Sequence, residues 1–341
     1  MSSARLVRVL VAVVAVECVI ALVVCSGGAW QVAVGDPGPV DYVAAAGLGW
    51  VVVLAVSALL VARHIDELGR RVDEHDASRR RLSAIVHRTE RVLADPASME
   101  VALQPVVDVA TGRWVAVEAL ARCPDNAPPE RWFTEAHEAG VGMPLELLAM
   151  EKALLTLPAL PAGVQLSINA SPALIVDPVF HELMSGMGRH RQRLVIEITE
   201  HAAVAGYEDI RAALLPHREQ GLRLAVDDTG AGYASFAHVL RLRPDIIKLD
   251  RSLLADIDHD AARRAFVTAI VLLALELDAG VTAEGVETAA ELDTLRSLGV
   301  DTVQGYLLAR PSTDPQTWRS WAERNWLAHS GMSGQPARVR S

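Results

Sequence analysis

Leu194-Val195-Ile196-Glu197-Ile198 is a β-branched run with one carboxylate inside it. Side chains alternate across a strand, so Glu197 shares a face with Val195, while Ile196 and Ile198 point the other way, toward packing helices. The same alternation puts Lys248 on one face with Asp250, and Ser167 on one face with Asn169. A strand with an acid on one side and isoleucine on the other fits a sheet with helices on its outer face and its polar groups gathered elsewhere.

Working outward, seven more runs of this kind follow Glu100: Val101 to Val109, Trp114 to Leu120, Val164 to Asn169, Leu222 to Asp227, Ile246 to Leu249, Val281 to Glu284 and Thr302 to Gln304. Amphipathic stretches fill the gaps, among them Leu145 to Leu155, Glu208 to Glu219, Ala261 to Leu277 and Ala289 to Leu298. Strands alternating with helices predict an α/β domain with a mostly parallel sheet. Eight strands suit a (β/α)8 barrel of the triosephosphate-isomerase kind, with an open doubly wound sheet as the alternative. The apolar run Phe266 to Leu275, with Thr268 inside it, reads first as a helix buried on the barrel, and second as an interface.

Nearly every run ends in a group able to bind a metal or a phosphate: Glu118, Asn169, Glu197, Asp227 with Asp228, Lys248, Glu284 and Gln304. In a parallel barrel these ends meet at one mouth. Carboxylates gathered there repel by about 4 kcal/mol per pair at ~4 Å and an effective dielectric near 20, so a cation is required between them. Hard oxygen donors without a usable His or Cys select magnesium, manganese or calcium over zinc. Two such ions sharing an Asp can ready a hydroxide for attack on phosphorus.

Each residue also has a plainer reading. A lone Glu at a strand end is commonly a surface residue. Asp227-Asp228 before Thr229-Gly230-Ala231-Gly232 is a plausible turn, and Lys248 a snorkelling lysine. Asn169-Ala170-Ser171 spells a glycosylation sequon but lies on a predicted strand. Taken together on successive strands, the set favours chemistry over coincidence.

The N-terminal part differs in composition. Residues 1 to 62 carry only Arg5, Arg8, Glu17, Asp36 and Asp41 as charges, although 22% of the 341 residues are charged. Val43 to Ala62 is uncharged and long enough to span a bilayer as a helix. About residues 9 to 25 make a shorter candidate span interrupted by Glu17, with a cleaved leader as the alternative. Arg5 and Arg8 before the pair, and Arg63, Arg70 and Arg71 after it, predict both termini in the cytoplasm and a multi-pass protein of the inner membrane. Ile65, Leu68, Val72, Leu82, Val86 and Leu93 sit at heptad-compatible positions in residues 63 to 96, which read as a signalling helix or as a solvated spacer. Residues 327 to 341 read as a disordered tail. Three cysteines make no disulfide framework, and a net charge of -10 argues against duplex nucleic acid as a partner.

Ordered motifs carry a resemblance: Gln104-Pro105-Val106-Val107-Asp108, Glu118-Ala119-Leu120-Ala121-Arg122, Glu197-Ile198-Thr199-Glu200, Asp227-Asp228-Thr229-Gly230-Ala231-Gly232-Tyr233, Lys248-Leu249-Asp250, Ala283-Glu284-Gly285-Val286-Glu287-Thr288 and Gln304-Gly305-Tyr306. The region from 97 to about 326 resembles the EAL domain, the phosphodiesterase module of cyclic di-GMP signalling. The resemblance implies a barrel whose first strand is antiparallel, and hydrolysis of cyclic di-GMP to linear pGpG with two magnesium or manganese ions. It implies that Glu118, Asn169, Glu197 and Asp227 bind one ion and that Asp227, Asp228 and Glu284 serve the second. Lys248 would hold the attacking water, Gln304 would order water and substrate, and Gln104, Arg122 and Asp250 would contact the nucleotide. Glu200 would brace the loop from Thr229 to Ser235, which links the second ion to a homodimer.

Thr229 stands where the family usually has Phe, and Ala234 where it has Ser; both bear on the loop more than on the metal chemistry. No cyclase signature of the Gly-Gly-Asp/Glu-Glu-Phe kind is present. Two other functions compete: a cyclic di-GMP receptor or scaffold without turnover, and a Schiff-base enzyme using Lys248.

Overall fold

The computed structural model describes Ala15, Val19, residues 39–125, 127–198, 206–229 and 233–324, and Trp326, with backbone alone at 39–46, 48, 228, 229 and 233–236. The chain divides into two compact units, Met1–Ala84 and Ile85–Ser341.

Helix α1 (Pro39–Ala94) runs from the first unit into the second. It ends where Asp95-Pro96 begins, because a proline disfavours helical backbone in the residue before it. In the first unit Trp50, Val52, Val53, Leu54, Val56, Leu59, Leu60 and Val61 are exposed, as are the seam residues Leu68, Val72 and Leu82. Among the described residues no helix is long and apolar enough to cross a membrane. Apart from Ala15 and Val19, the expected span at about 9–25 lies outside those residues, and several side chains of the expected span at 43–62 do as well. The tail 327–341 also lies outside them.

The second unit is a closed barrel of β1 (Glu100–Asp108), β2 (Trp114–Arg122), β3 (Gln165–Asn169), β4 (Leu194–Ile198), β5 (Arg223–Thr229), β6 (Ile246–Leu249), β7 (Gly280–Ala283) and β8 (Thr302–Val303). β1 is antiparallel to both β2 and β8, and the other neighbours pair in parallel. This agrees with the eight predicted strands and the reversed first one. The reversal brings the N-terminal half of β1 to the mouth where the other strands end, so Gln104 sits opposite Glu118. Glu284 and Gln304 lie one residue beyond their strands, yet backbone bonds from Glu284 N to Leu249 O and from Gln304 N to Ala283 O continue the ladder through them.

Between strands run α2 (Pro129–Glu138), α3 (Gly142–Thr156), α4 (Pro172–Val176), α5 (Pro178–Gly186), α6 (Tyr207–Arg218), α7 (Tyr233–Leu242), α8 (Arg251–Leu254), α9 (Ala261–Glu276), α10 (Ala289–Leu298) and, after β8, α11 (Pro315–Trp321). The outward residues of the strands, Ile196, Ile198, Leu224, Val226, Ile247 and Leu249, form one core with Leu214, Val239, Ile270 and Leu295 of the helices. Each buried aliphatic side chain contributes about 1.5–3 kcal/mol. Within α9, Val267, Ile270, Val271 and Ala274 are buried while Leu272 and Leu275 are exposed, in keeping with a helix laid on the barrel.

The second unit begins at Ile85, within the stretch read from the sequence as a linker. Val92 of α1 packs with Met99, Cys123, Trp132, Ala136 and Leu145 in a second, smaller core. The Arg88 guanidinium stacks 3.8 Å above the Trp132 ring and pairs with Glu135 at 2.8 Å. Trp132 Nε1 donates to Asp125 Oδ1 at 2.6 Å, three residues after Arg122 closes β2.

Candidate active site

Alternation along β2, β4 and β5 turns Glu118, Glu197 and Asp227 toward the barrel axis, where one carboxylate oxygen from each lies within 4.8 Å of the others. Lys248 of β6 reaches into the same group. Its Nζ lies 2.7 Å from Glu197 Oε2, 2.7 Å from Glu284 Oε1, 3.2 Å from Asp227 Oδ1 and 3.7 Å from Glu118 Oε1. The lysine side chain is 3% exposed. In the ladders Ser167 pairs with Glu118, Ala225 with Glu197 and Thr282 with Lys248; these small residues are buried, and the Thr282 and Thr302 hydroxyls are 2.7 Å apart.

Removal from water and mutual repulsion act together here. Burial, opposed by Lys248 and reinforced by Glu118 and Asp227, pushes the Glu197 carboxyl up to about 8. Burial and then Asp227 hold Glu284 well above the carboxylate range. For Lys248, burial works against the charge but is outweighed by Asp227, Glu118, Glu197 and Glu284, so the ammonium sits well above the ordinary lysine value. One ammonium thus faces four acids, two of which are driven to retain protons. Additional positive charge would be strongly attracted to such a cluster.

Amides complete the mouth. Gln304 Nε2 donates to Glu118 Oε2 at 2.7 Å and to Gln104 Oε1 at 3.0 Å, and Gln104 Nε2 donates to Ala309 O at 3.0 Å. This chain ties β8, β1 and β2 together and aims the Glu118 carboxylate. Gln304 Oε1 is buried without a hydrogen-bond partner among the described residues. Asn169 sits opposite Glu197 in register, is exposed at the mouth, and directs Nδ2 to Glu118 Oε1 at 3.5 Å.

Gly285 and Gly305 follow Glu284 and Gln304 for steric reasons. Gly285 has φ +66°, and a Cβ there would lie 2.6 Å from Arg251 Cβ. A Cβ on Gly305 would collide with the Val286 backbone. The β7 and β8 ends can close over the site only because both positions lack side chains.

The remaining expected residues are less central. Arg122 ends β2 opposite Glu100, with its guanidinium donating to Ala121 O. Asp250 caps α8 by accepting from Ser252 N at 2.8 Å. Asp228 lies on β5 where the pairing with β6 is irregular, and its side chain is outside the described residues. Glu200 and Gly230 to Gly232 are also outside them.

Sequence reasoning missed two supports. Arg251 links the β6 and β7 ends by donating to Gly285 O at 2.6 Å and Glu287 Oε2 at 2.8 Å. Glu146 of α3 accepts from Ser171 just after β3. An Arg directly after the Lys248-Leu249-Asp250 motif was the available signal for the first. A Ser before Pro172, as a helix cap, pointed to half of the second.

The donor set passes a chemical test for hard divalent cations: carboxylates, an amide at the rim, no thiol, and a lysine ammonium already drawn among the acids.

Comparison with known proteins agrees with this reading. Residues 91–311 match the EAL domain family. The chain is 31% identical to the probable cyclic di-GMP phosphodiesterase PdeD of Escherichia coli, over 68% of this chain and 45% of PdeD. It is 33% identical to the cyclic di-GMP phosphodiesterase NbdA of Pseudomonas aeruginosa, over 62% of this chain and 29% of NbdA. Among solved structures it resembles Klebsiella pneumoniae BlrP1 in a calcium and cyclic di-GMP complex, with TM-score 0.57, 33% identity, and coverage of 63% of this chain and 56% of that one. A manganese and cyclic di-GMP complex of BlrP1 matches at TM-score 0.56 and 32% identity, with the same coverage. The chain therefore spans under half the length of PdeD and under a third of NbdA.

Proposed function

The chain belongs to the EAL domain family, and from that premise we propose that it is a phosphodiesterase that opens cyclic di-GMP to linear pGpG. The observation that carries this reading is the convergence of Glu118, Glu197, Asp227 and Glu284 on Lys248, each from a different strand or strand end. Magnesium or manganese bound there would supply Lewis acidity toward the phosphoryl oxygens and lower the pKa of water. Glu118, Asn169, Glu197 and Asp227 would hold one ion, and Asp227, Asp228 and Glu284 the second.

The protein's own groups have definable tasks. Lys248 stays protonated through neutral pH, so it acts as a hydrogen-bond donor and fixed charge that orients the attacking water and offsets charge developing at phosphorus. A base function for Lys248, or the free amine needed for a Schiff base, runs against that shift. Gln304 holds the Glu118 carboxylate in place, and its unpartnered Oε1 is free to accept from water or substrate. Gln104, Arg122 and Asp250, at the rim, would contact the nucleotide.

We place this domain on the cytoplasmic side of the inner membrane, as a homodimer. The support for the anchor is the uncharged stretch 43–62, the exposed apolar residues from Trp50 to Val61, and the flanking arginines. The test is full-length protein in detergent or nanodiscs, supplied with cyclic di-GMP and either magnesium or manganese. Formation of pGpG that is lost in Glu118→Ala supports the proposal. Binding of the dinucleotide without pGpG under either ion makes the chain a receptor and overturns it.

A further inference from the structure

Asn169 is exposed, and among the described residues its side chain makes one hydrogen bond, the 3.5 Å approach to Glu118, so its orientation depends strongly on its backbone. That backbone is anchored on both sides of the turn leaving β3. Ala170 N donates to Glu197 O at 3.0 Å, which extends the pairing with β4. Ser171 then donates twice to one oxygen of Glu146, from Oγ at 2.7 Å and from N at 3.3 Å. The same Oγ accepts from Leu174 N at 3.2 Å and so caps α4.

Glu146 is 11% exposed and comes from α3, 25 residues earlier in the chain. Its other oxygen is held by His137 Nε2 at the end of α2. A carboxylate secured at both oxygens by a neighbouring helix and by the turn is a rigid post, and the residue it grips is two positions from Asn169. We propose that Glu146 is a positioning residue for Asn169, acting through Ser171 to hold the Asn169 side-chain amide beside Glu118 at the cation site. This inference rests on the metal-dependent reading above. Partners outside the ligand set commonly set ligand orientation, and their loss commonly costs about 10–100-fold in metal affinity.

The experiment is manganese titration of the full-length protein by calorimetry, checked by the electron paramagnetic resonance signal of free manganese, with thermal unfolding in chelator alongside. Glu146→Ala and Ser171→Ala are each expected to weaken manganese binding about 10-fold or more. Ser171→Thr, which keeps the hydroxyl, is expected to stay near wild type. Ser171→Ala leaves the Glu146 and His137 pair intact, so it reports on positioning even if Glu146→Ala folds poorly. Wild-type manganese affinity in both alanine variants overturns this inference alone. Absence of manganese binding by the wild type overturns it together with the functional reading.

Discussion

Lys248 Nζ lies 2.7 Å from Glu197 Oε2, and both side chains are almost wholly buried, 3% and 2% exposed. The same ammonium also faces Glu118, Asp227 and Glu284, so removing it leaves several buried acids facing one another in a low-dielectric site without their counter-charge. Lys248→Met should therefore lower stability in chelator by about 3–5 kcal/mol. Added manganese should recover part of the loss without restoring hydrolysis. Urea unfolding with and without the ion measures both effects.

Glu197→Gln is expected to have the opposite sign for stability. The Glu197 carboxyl is pushed up to about 8, from 4.5, so the folded state keeps a proton that the unfolded chain has released between those values. Stability contributed by this group is therefore lost as pH rises through that window. In chelator at pH 8 to 9, Glu197→Gln should unfold at an equal or higher temperature than wild type. Phosphodiesterase activity should fall by at least about 100-fold, the size of loss seen when one transition-state contact is deleted.

Gly305→Ala probes the closure of the mouth. Its new Cβ would meet Val286 backbone, which cannot swing aside as a flexible side chain can. A stability loss of about 1–3 kcal/mol is expected, with a fall in turnover because Gln304 precedes it. Unchanged kinetics would show that the β8 end tolerates displacement.

Acid sensitivity should originate away from the mouth. His217 is fully buried, with Nε2 3.0 Å from His181 Nδ1 and Nδ1 3.2 Å from an Arg191 nitrogen. Burial first, then His181 and Arg191, hold its pKa below the ordinary 6.5. The folded state keeps His217 neutral while the unfolded chain takes up a proton, so its contribution is intact above pH 6.5 and declines as pH falls below it. His217→Gln should flatten the dependence of the urea midpoint between pH 7 and 5, even if it lowers the midpoint at pH 7.

The end of α1 should behave as part of the barrel unit. Trp132 is almost wholly buried under Arg88, and Trp132→Ala should cost about 3–5 kcal/mol. Trp132→Phe, which keeps a ring but loses the bond to Asp125, should cost about 1–2 kcal/mol. Arg88→Ala should give a loss of the same order as Trp132→Phe, and chemical denaturation of the three variants checks the ranking.

The alternation in residues 194–198 and 246–249 was sufficient to assign strands, because period-two patterning is local and survives without neighbours. The ends of the strands were legible for the same reason: a polar residue closing an apolar run marks where burial stops. Ser171 shows the opposite case. The sequence shows it as the third residue of a sequon and as a helix cap before Pro172, but its hold on Glu146 depends on α3 lying beside the β3 turn. The bonds from Gln304 to Gln104 and Glu118 likewise join residues 200 and 186 positions apart.

By itself the sequence determined the eight-stranded α/β domain and the acidic, amide and lysine groups at its strand ends, since hydrophobic period and side-chain chemistry are properties of short segments. Tertiary structure alone decided that Lys248 stands among four carboxylates, that Glu146 grips Ser171, and that Arg88 and Val92 of the preceding helix belong to the barrel unit. Those are distances between remote segments, set by strand register and by how helices pack on the closed sheet.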